Sequence, residues 1–160
     1  MVTSALPTVD EIRTLLDGVV DPDIPVMTIA DIGILRDVIV SDEGDVVVYI
    51  TPTYSGCPAL AVMEEDIVGV LGTAGIDKVR VEVRHFPVWT TEWLSREAKD
   101  KLSDYGIAPP DSVFSILPEV ICPQCSSDGT AKVSEFGSTA CKSLWVCTSC
   151  REPFDYFKAI

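Results

Sequence analysis

The sequence predicts an α/β (α+β) N-terminal domain, a mixed sheet flanked by helices, followed by a small β-rich module held together by cysteines. Three observations predict it. Helix-period and strand-period apolar runs alternate through the first 106 residues. Five of the six cysteines fall in the last 39 residues. Four of those five are paired in two C-x2-C steps, Cys122-Pro123-Gln124-Cys125 and Cys147-Thr148-Ser149-Cys150.

Residues 8 to 17 read as a helix. Thr8 and Glu11 form a capping-box pattern, and Ile12, Leu15, Leu16 and Val19 recur at the spacing of one buried stripe. Asp21-Pro22-Asp23-Ile24-Pro25-Val26 cannot extend this helix, because each proline restricts itself and its predecessor. A stiff acidic loop is expected there. Two β-rich runs follow, Ile34 to Val40 and Val46 to Thr51, joined by the turn residues Ser41 to Asp45. The second run is apolar up to Ile50, as a central strand would be. It leads through Thr51-Pro52-Thr53-Tyr54-Ser55-Gly56-Cys57-Pro58 into a helix over residues 58–71, with Leu60, Met63, Ile67 and Leu71 on one face. Lys78 to Arg84 alternates, which sets Val79, Val81 and Val83 on one side of a half-buried strand. Leu94, Ala98, Leu102 and Tyr105 mark a third helix, ended by Gly106. Ala108-Pro109-Pro110-Asp111 reads as a connector. The expected organisation is a domain over 1–106, a linker over 107–118 and a second domain over 119–160.

Of the 160 residues, 47% are apolar, enough for a real core and against global disorder. Acidic residues outnumber basic ones 25 to 12, a formal charge of -13 that repels a phosphate backbone. Nucleic-acid binding is therefore excluded as an expectation, although cysteine ribbons often invite it. Neither a signal peptide nor a membrane-spanning run is visible, so a cytoplasmic protein with no membrane partner is expected.

In such a compartment paired cysteines point to a metal rather than to disulfides. Two thiolates at C-x2-C spacing hold one tetrahedral ion from a tight turn. The 21 residues between the two steps lie just above the usual ribbon range of about 15–20. They contain a hairpin pattern, Thr130 to Phe136 and Thr139 to Val146, turning at Gly137-Ser138. Pro153 to Lys158 adds a third strand. A module of about 40 residues has too small a core to fold securely, and ligation supplies the missing free energy. Cys122, Cys125, Cys147 and Cys150, with no open position, suit one structural zinc per chain; iron in a rubredoxin-like site is the competing metal. Cys141 is left over and reads as a buried small apolar residue.

Cys57 stands where a strand exit meets a helix N-terminus. Free backbone N–H groups and the positive end of the helix dipole stabilise a thiolate there. Thr51, Thr53, Tyr54 and Ser55 bring hydroxyls, and Gly56 permits close approach of a ligand. The position reads equally as a reactive thiol or soft-metal ligand and as a helix cap. No second cysteine lies near it, so a C-x-x-C redox reaction has no support. Asp21 and Asp23 can face the same cleft, or serve as solvated turn residues. His85, the one histidine, reads as a strand-end residue, and Trp89 and Trp93 as packing anchors. No catalytic residue is assigned.

With these residues in view, a resemblance can be stated. Asp21-Pro22-Asp23-Ile24-Pro25-Val26, Asp31-Ile32-Gly33 and Thr51 to Pro58 resemble the signature of the SufT-like iron–sulfur assembly family, over roughly residues 8 to 90. Thr90-Thr91-Glu92-Trp93, Gly106-Ile107-Ala108-Pro109-Pro110, Phe136 to Lys142 and Glu152 to Lys158 extend the likeness over nearly the whole chain. There it resembles a narrower family, the D components of the ring-1,2-phenylacetyl-CoA epoxidase system. The resemblance implies a non-enzymatic accessory of aerobic phenylacetate catabolism that assists iron–sulfur or diiron maturation of the oxygenase or its reductase. It implies cluster handling by Cys57 near Asp21 and Asp23, the latter standing where the family often carries Glu. One such thiolate cannot hold a four-thiolate cluster, so a transient cluster, or one shared across a homodimer, would follow. The other expected roles are a non-catalytic structural or regulatory component of the oxygenase complex, docked through the ribbon, and a thiol enzyme using Cys57.

Overall fold

The computed structural model describes residues 6–111 and 118–159. Its contacts divide the chain into two compact units, Met1–Val88 and Trp89–Ile160. The N-terminal unit opens with helix α1 (Val9–Leu16), started by the expected capping box: the Thr8 hydroxyl accepts the Glu11 N–H, and the Glu11 carboxylate accepts the Thr8 N–H at 2.8 Å. Strands β1 (Val20–Asp21) and β2 (Ile24–Thr28) form a two-stranded antiparallel ribbon. Next come β3 (Leu35–Val40), β4 (Val46–Ile50), helix α2 (Ala59–Thr73) and β5 (Val79–Val83). These strands make a three-stranded sheet in the order β3-β4-β5, antiparallel between the first pair and parallel between the second. β4 is central, as its apolar run predicts, and α2 makes the crossover that a parallel pair requires.

The core of this unit lies between α1, α2 and the sheet. Ile12 and Leu16 from α1, Val46, Val48 and Ile50 from β4, and Met63, Ile67 and Leu71 from α2 are all buried. Ala59 takes the buried place expected for Leu60, which is half-buried. The other face of β4 is covered by Tyr49, with the Arg84 guanidinium 3.3 Å above its ring.

The acidic segment expected as a loop is the β1–β2 ribbon instead. Its turn is closed by Asp21, whose carboxylate accepts the N–H of Asp23 at 2.7 Å and of Ile24 at 3.3 Å. Pro25 sits in β2 without harm, because a two-stranded ribbon has edges where a missing donor costs no ladder bond.

The C-terminal unit contains a short 3-10 turn (Thr91–Trp93), helix α3 (Arg96–Tyr105), and strands β6 (Ile107–Ala108), β7 (Thr130–Ser134), β8 (Lys142–Cys147) and β9 (Pro153–Phe157). The strands form one sheet in the order β6-β9-β8-β7, with β6 parallel to β9 and the rest antiparallel. α3 ends at Gly106 in a left-handed cap, φ 93°, as its sequence predicts. Tyr105 is the departure from the expected stripe, 51% exposed on the last turn. The expected linker begins at residue 107, where the structure has β6; residues 112–117 of that linker lie outside the described residues. The small core gathers Ala108 from β6 with Val120, Cys122, Trp145, Cys147, Phe154 and Tyr156. Trp89, the first residue of the unit, is buried with its ring 5.9 Å from that of Phe157. Among the described residues, no helix is long and apolar enough to cross a membrane.

Candidate metal centre and the lone N-terminal cysteine

The two C-x2-C steps are the same turn built twice. In the first, the Ser126 N–H donates to the Cys122 carbonyl (2.9 Å) and the Cys122 N–H to the Ser127 carbonyl (2.9 Å). In the second, the Arg151 N–H donates to the Cys147 carbonyl (3.0 Å) and the Cys147 N–H to the Glu152 carbonyl (2.9 Å). The residue after each second cysteine is left-handed, Ser126 at φ 60° and Arg151 at φ 68°. That conformation costs an L-residue roughly 1–2 kcal/mol, and its repetition marks a shape the turn requires. The steps are tied together by Thr148, whose N–H and hydroxyl donate to the Gly129 carbonyl at 2.7 and 2.8 Å. Gly129 must be glycine for this: a Cβ there would stand 2.8 Å from Thr148 Oγ1.

These turns bring four sulfurs together. The Sγ atoms of Cys122, Cys125, Cys147 and Cys150 all lie within 4.8 Å of one another. Cys122 and Cys150 are 3.7 Å apart, and Cys125 and Cys147 3.6 Å. Sulfurs about 2.3 Å from a tetrahedral ion would stand about 3.8 Å apart, so the donor set has the size of a four-thiolate metal site. Cys122 and Cys147 are buried in the small core, while Cys125 and Cys150 are exposed. A metal held there would join the two cysteine turns to the apolar floor.

Without a cation, Cys125, Cys147 and Cys150 do not ionise together. The Cys150 backbone N–H, 3.5 Å from the Cys147 sulfur, leads in holding the Cys147 pKa down to about 6. For Cys150 the Glu152 backbone N–H acts to lower the pKa, but loss of solvent and the sulfurs of Cys125, Cys147 and Cys122 push it up to about 12. Cys125 is raised as well, against the lowering effect of the Ser127 backbone N–H. Cys147 ionises readily while Cys125 and Cys150 resist, which is the electrostatic demand a divalent cation answers.

Cys141 lies outside the tetrad, buried, with the Thr139 hydroxyl 2.9 Å from its sulfur. Cys57 is half-buried immediately before Pro58, the N-cap of α2. Its N–H donates to the Tyr54 carbonyl (3.3 Å) and its carbonyl accepts the Leu60 N–H (3.2 Å). No side chain caps α2 and no acidic residue lies in its first turn, so the positive end of the helix is not neutralised from within. A Cβ on Gly56 would meet only the Tyr54 ring, at 3.6 Å, which leaves the backbone beside Cys57 accessible. Thr51 and Thr53 are buried at the exit of β4, the Thr51 N–H donating to the Ile34 carbonyl (2.8 Å). Asp21 is buried in its own turn, with Asp23 as one of the residues whose N–H it accepts. Among the described residues, the carboxyl, thiol and imidazole groups able to close in threes or more on one ion are the four tail cysteines, without Cys57, Asp21 or Asp23.

Sequence reasoning misses the left-handed Ser126 and Arg151, since neither residue type advertises a positive φ. It also misses Ala108, Trp145, Phe154 and Tyr156 as the floor of the metal turns. The i, i+2 spacing of Phe154 and Tyr156 was the available signal.

The comparisons with known proteins follow this division. The family profile described as iron–sulfur cluster assembly protein matches residues 9–83, and that of the PaaD zinc beta ribbon domain matches residues 109–158. Fold and sulfur cluster together thus define an iron–sulfur cluster assembly domain carried with a zinc β-ribbon. A protein of Escherichia coli, provisionally named as the D-type subunit of 1,2-phenylacetyl-CoA epoxidase, is 49% identical over 163 residues, covering 100% of this chain and 98% of that protein. The chain belongs to this family of D-type phenylacetyl-CoA epoxidase subunits. An Fe-S protein maturation auxiliary factor of Porphyromonas gingivalis is 34% identical over 94 residues, 58% of this chain and 89% of that protein. The crystal structure of a domain of unknown function, DUF59, from Bacillus anthracis superimposes with a TM-score of 0.56 at 29% identity, covering 59% of this chain and 90% of its own. A conserved hypothetical protein of Thermotoga maritima does so with 0.52 at 26% identity, over 60% and 94%.

Proposed function

We propose that this chain is a non-catalytic accessory of aerobic phenylacetate catabolism. It assists iron–sulfur cluster or diiron maturation of a multicomponent phenylacetyl-CoA epoxidase, acting on the oxygenase or, first among them, the reductase. The observation that carries this reading is the joining, in one chain, of an iron–sulfur assembly domain holding a single cysteine to a ribbon holding a complete four-sulfur site. Cys122, Cys125, Cys147 and Cys150 hold one structural zinc, whose role is to close the ribbon. Their sulfurs are saturated by it and take no part in cluster transfer.

Cys57 handles the transient cluster. It presents its thiolate at the uncapped N-terminus of α2, where the helix dipole favours negative charge. Thr51 and Thr53 shape the loop that leads to it, and Asp21 and Asp23 hold the neighbouring family turn. One thiolate binds a cluster edge weakly, which suits a donor, and two copies of the chain supply two. In Cys57→Ser, zinc content and fold are expected to match the parent while the reductase co-produced with it lacks its iron–sulfur absorption. A reductase spectrum identical to that obtained with the parent would end this reading.

A permanently docked structural role is the second reading, favoured because the 49% identical relative is named as a component of the epoxidase itself. It predicts co-purification with oxygenase components at stoichiometric yield, independent of Cys57.

A further inference from the structure

A groove runs along the outside of the N-terminal unit, between α1 and the C-terminal half of α2. One stretch, a cavity of about 620 Å³, is lined by Asp10, Glu11 and Leu15; the next, about 660 Å³, by Leu15, Glu65, Asp66 and Gly69. A third, about 280 Å³, continues past Gly75 to Glu43 and Asp77. In the first two stretches the floor is apolar and the rim acidic; in the third, Lys78 stands among the lining residues beside Glu43 and Asp77. Asp10, Glu65 and Asp66 have no basic partner among the described residues.

Charge is concentrated on this unit. Residues 1–88 hold 15 acidic and 5 basic residues, a balance of -10, against 10 and 7, or -3, for residues 89–160. On α2, Val62, Asp66, Gly69 and Thr73 recur at i, i+4, i+7 and i+11 on one stripe, and Val62 is 44% exposed. Glycine is unfavourable inside a helix. Yet a Cβ at Gly69 would meet nothing within 4 Å, so no contact within the chain calls for it. Its bare backbone leaves room for another helix to pack closely.

We propose that this groove docks a cationic amphipathic helix of a partner protein. The partner's apolar stripe lies on Leu15, Val70 and Ala74, and its Lys or Arg side chains reach Asp10, Glu65 and Asp66. A second copy of this chain is a poor occupant, because it would bring the same negative face. The docking uses neither the four-sulfur site nor Cys57, so it stands apart from the cluster-handling reading.

The probe is a helical leucine–lysine peptide titrated into the full chain and followed by backbone amide NMR, with a leucine–glutamate peptide of the same pattern as control. Shifts on α1 and α2 are expected with the lysine peptide alone. Glu65→Gln/Asp66→Asn weakens binding about tenfold, the loss of two rim ion pairs. Asp100→Asn/Asp104→Asn on α3, with the same change of charge, leaves it within about twofold, as charges outside the footprint should. Gly69→Leu keeps the parent's Tm or raises it and abolishes binding. The proposal is overturned if the lysine peptide does not bind, if it shifts another face, if both charge pairs weaken binding alike, or if Gly69→Leu binds as the parent does.

Discussion

The N-terminal unit buries side chains from two helices and two β layers, among them Ile12, Leu16, Ile24, Met27, Val48, Ile50, Met63, Ile67 and Leu71. The C-terminal ribbon gathers seven residues, and two of the seven are cysteines of the sulfur tetrad. The first unit has an apolar core large enough to tolerate a balance of -10 charges, and its one cysteine, Cys57, lies outside the sulfur tetrad. The proposed metal would complete the ribbon cluster of the second, beside the buried Trp89, Leu94, Ala98, Leu102, Ile107 and Phe157. On the proposed function the difference separates two uses of sulfur: the tail cysteines close a small fold around a metal, and Cys57 belongs to a unit whose core is built from apolar side chains.

The sharpest way to break this contrast is to remove the metal. A strong chelator, or Cys147→Ser, is expected to unfold the ribbon and leave the N-terminal unit folded, since structural zinc contributes about 10–16 kcal/mol in comparable small modules. All three tryptophans, Trp89, Trp93 and Trp145, lie in the C-terminal unit, so their fluorescence reports that unit alone. Amide NMR of α1 and α2 reports the other. Loss of both sets of signals together, or of neither, would abolish the distinction. The converse experiment is Met63→Ala, which leaves a cavity in the N-terminal core and should cost about 2–5 kcal/mol there in denaturant unfolding. The bound metal should remain at one per chain.

Acid and base sharpen the contrast further in the metal-free protein. Cys147 has its folded pKa lowered from 9.0 to about 6. The unfolded state binds more protons between those values, so this stabilisation is complete above pH 9 and is lost as pH falls through 6. Cys150 has its folded pKa raised from 9.0 to about 12. The folded state holds the extra proton, so its contribution is present below pH 9 and is lost as pH rises through 12. The small fraction of metal-free ribbon that stays folded, read by tryptophan fluorescence, should therefore be greatest near pH 9 and fall on both sides, while the N-terminal unit shows no such maximum. The smallest expected effect is that of Arg151→Gly. Relieving the left-handed backbone at φ 68° should stabilise the ribbon by about 1 kcal/mol, seen as a higher Tm with the metal still bound.

Much of this division is legible from residue order. The Thr8–Glu11 capping box, the apolar β4, the Met63-Ile67-Leu71 face and the Gly106 cap each rest on a local rule, and each is found in the structure. The four tail cysteines are legible for a similar reason: C-x2-C spacing sets two thiols on one turn whatever surrounds it. The segment around Asp21 is legible only in part. Its prolines forbid a helix but do not reveal that Asp21 would close a hairpin.

By itself, then, the sequence determined element types, the turns that end them, and the pairing of cysteines within each step, because these depend on neighbours a few residues apart. Tertiary structure alone decided that β6 joins β9, that α3 and β6 belong with the ribbon, and that the two cysteine steps face each other across 3.6–3.7 Å. Two residues such as Ile107-Ala108 are too few to show a period. Parallel pairing over dozens of residues is chosen by the burial available when the sheet assembles, and that quantity exists only once the chain has folded.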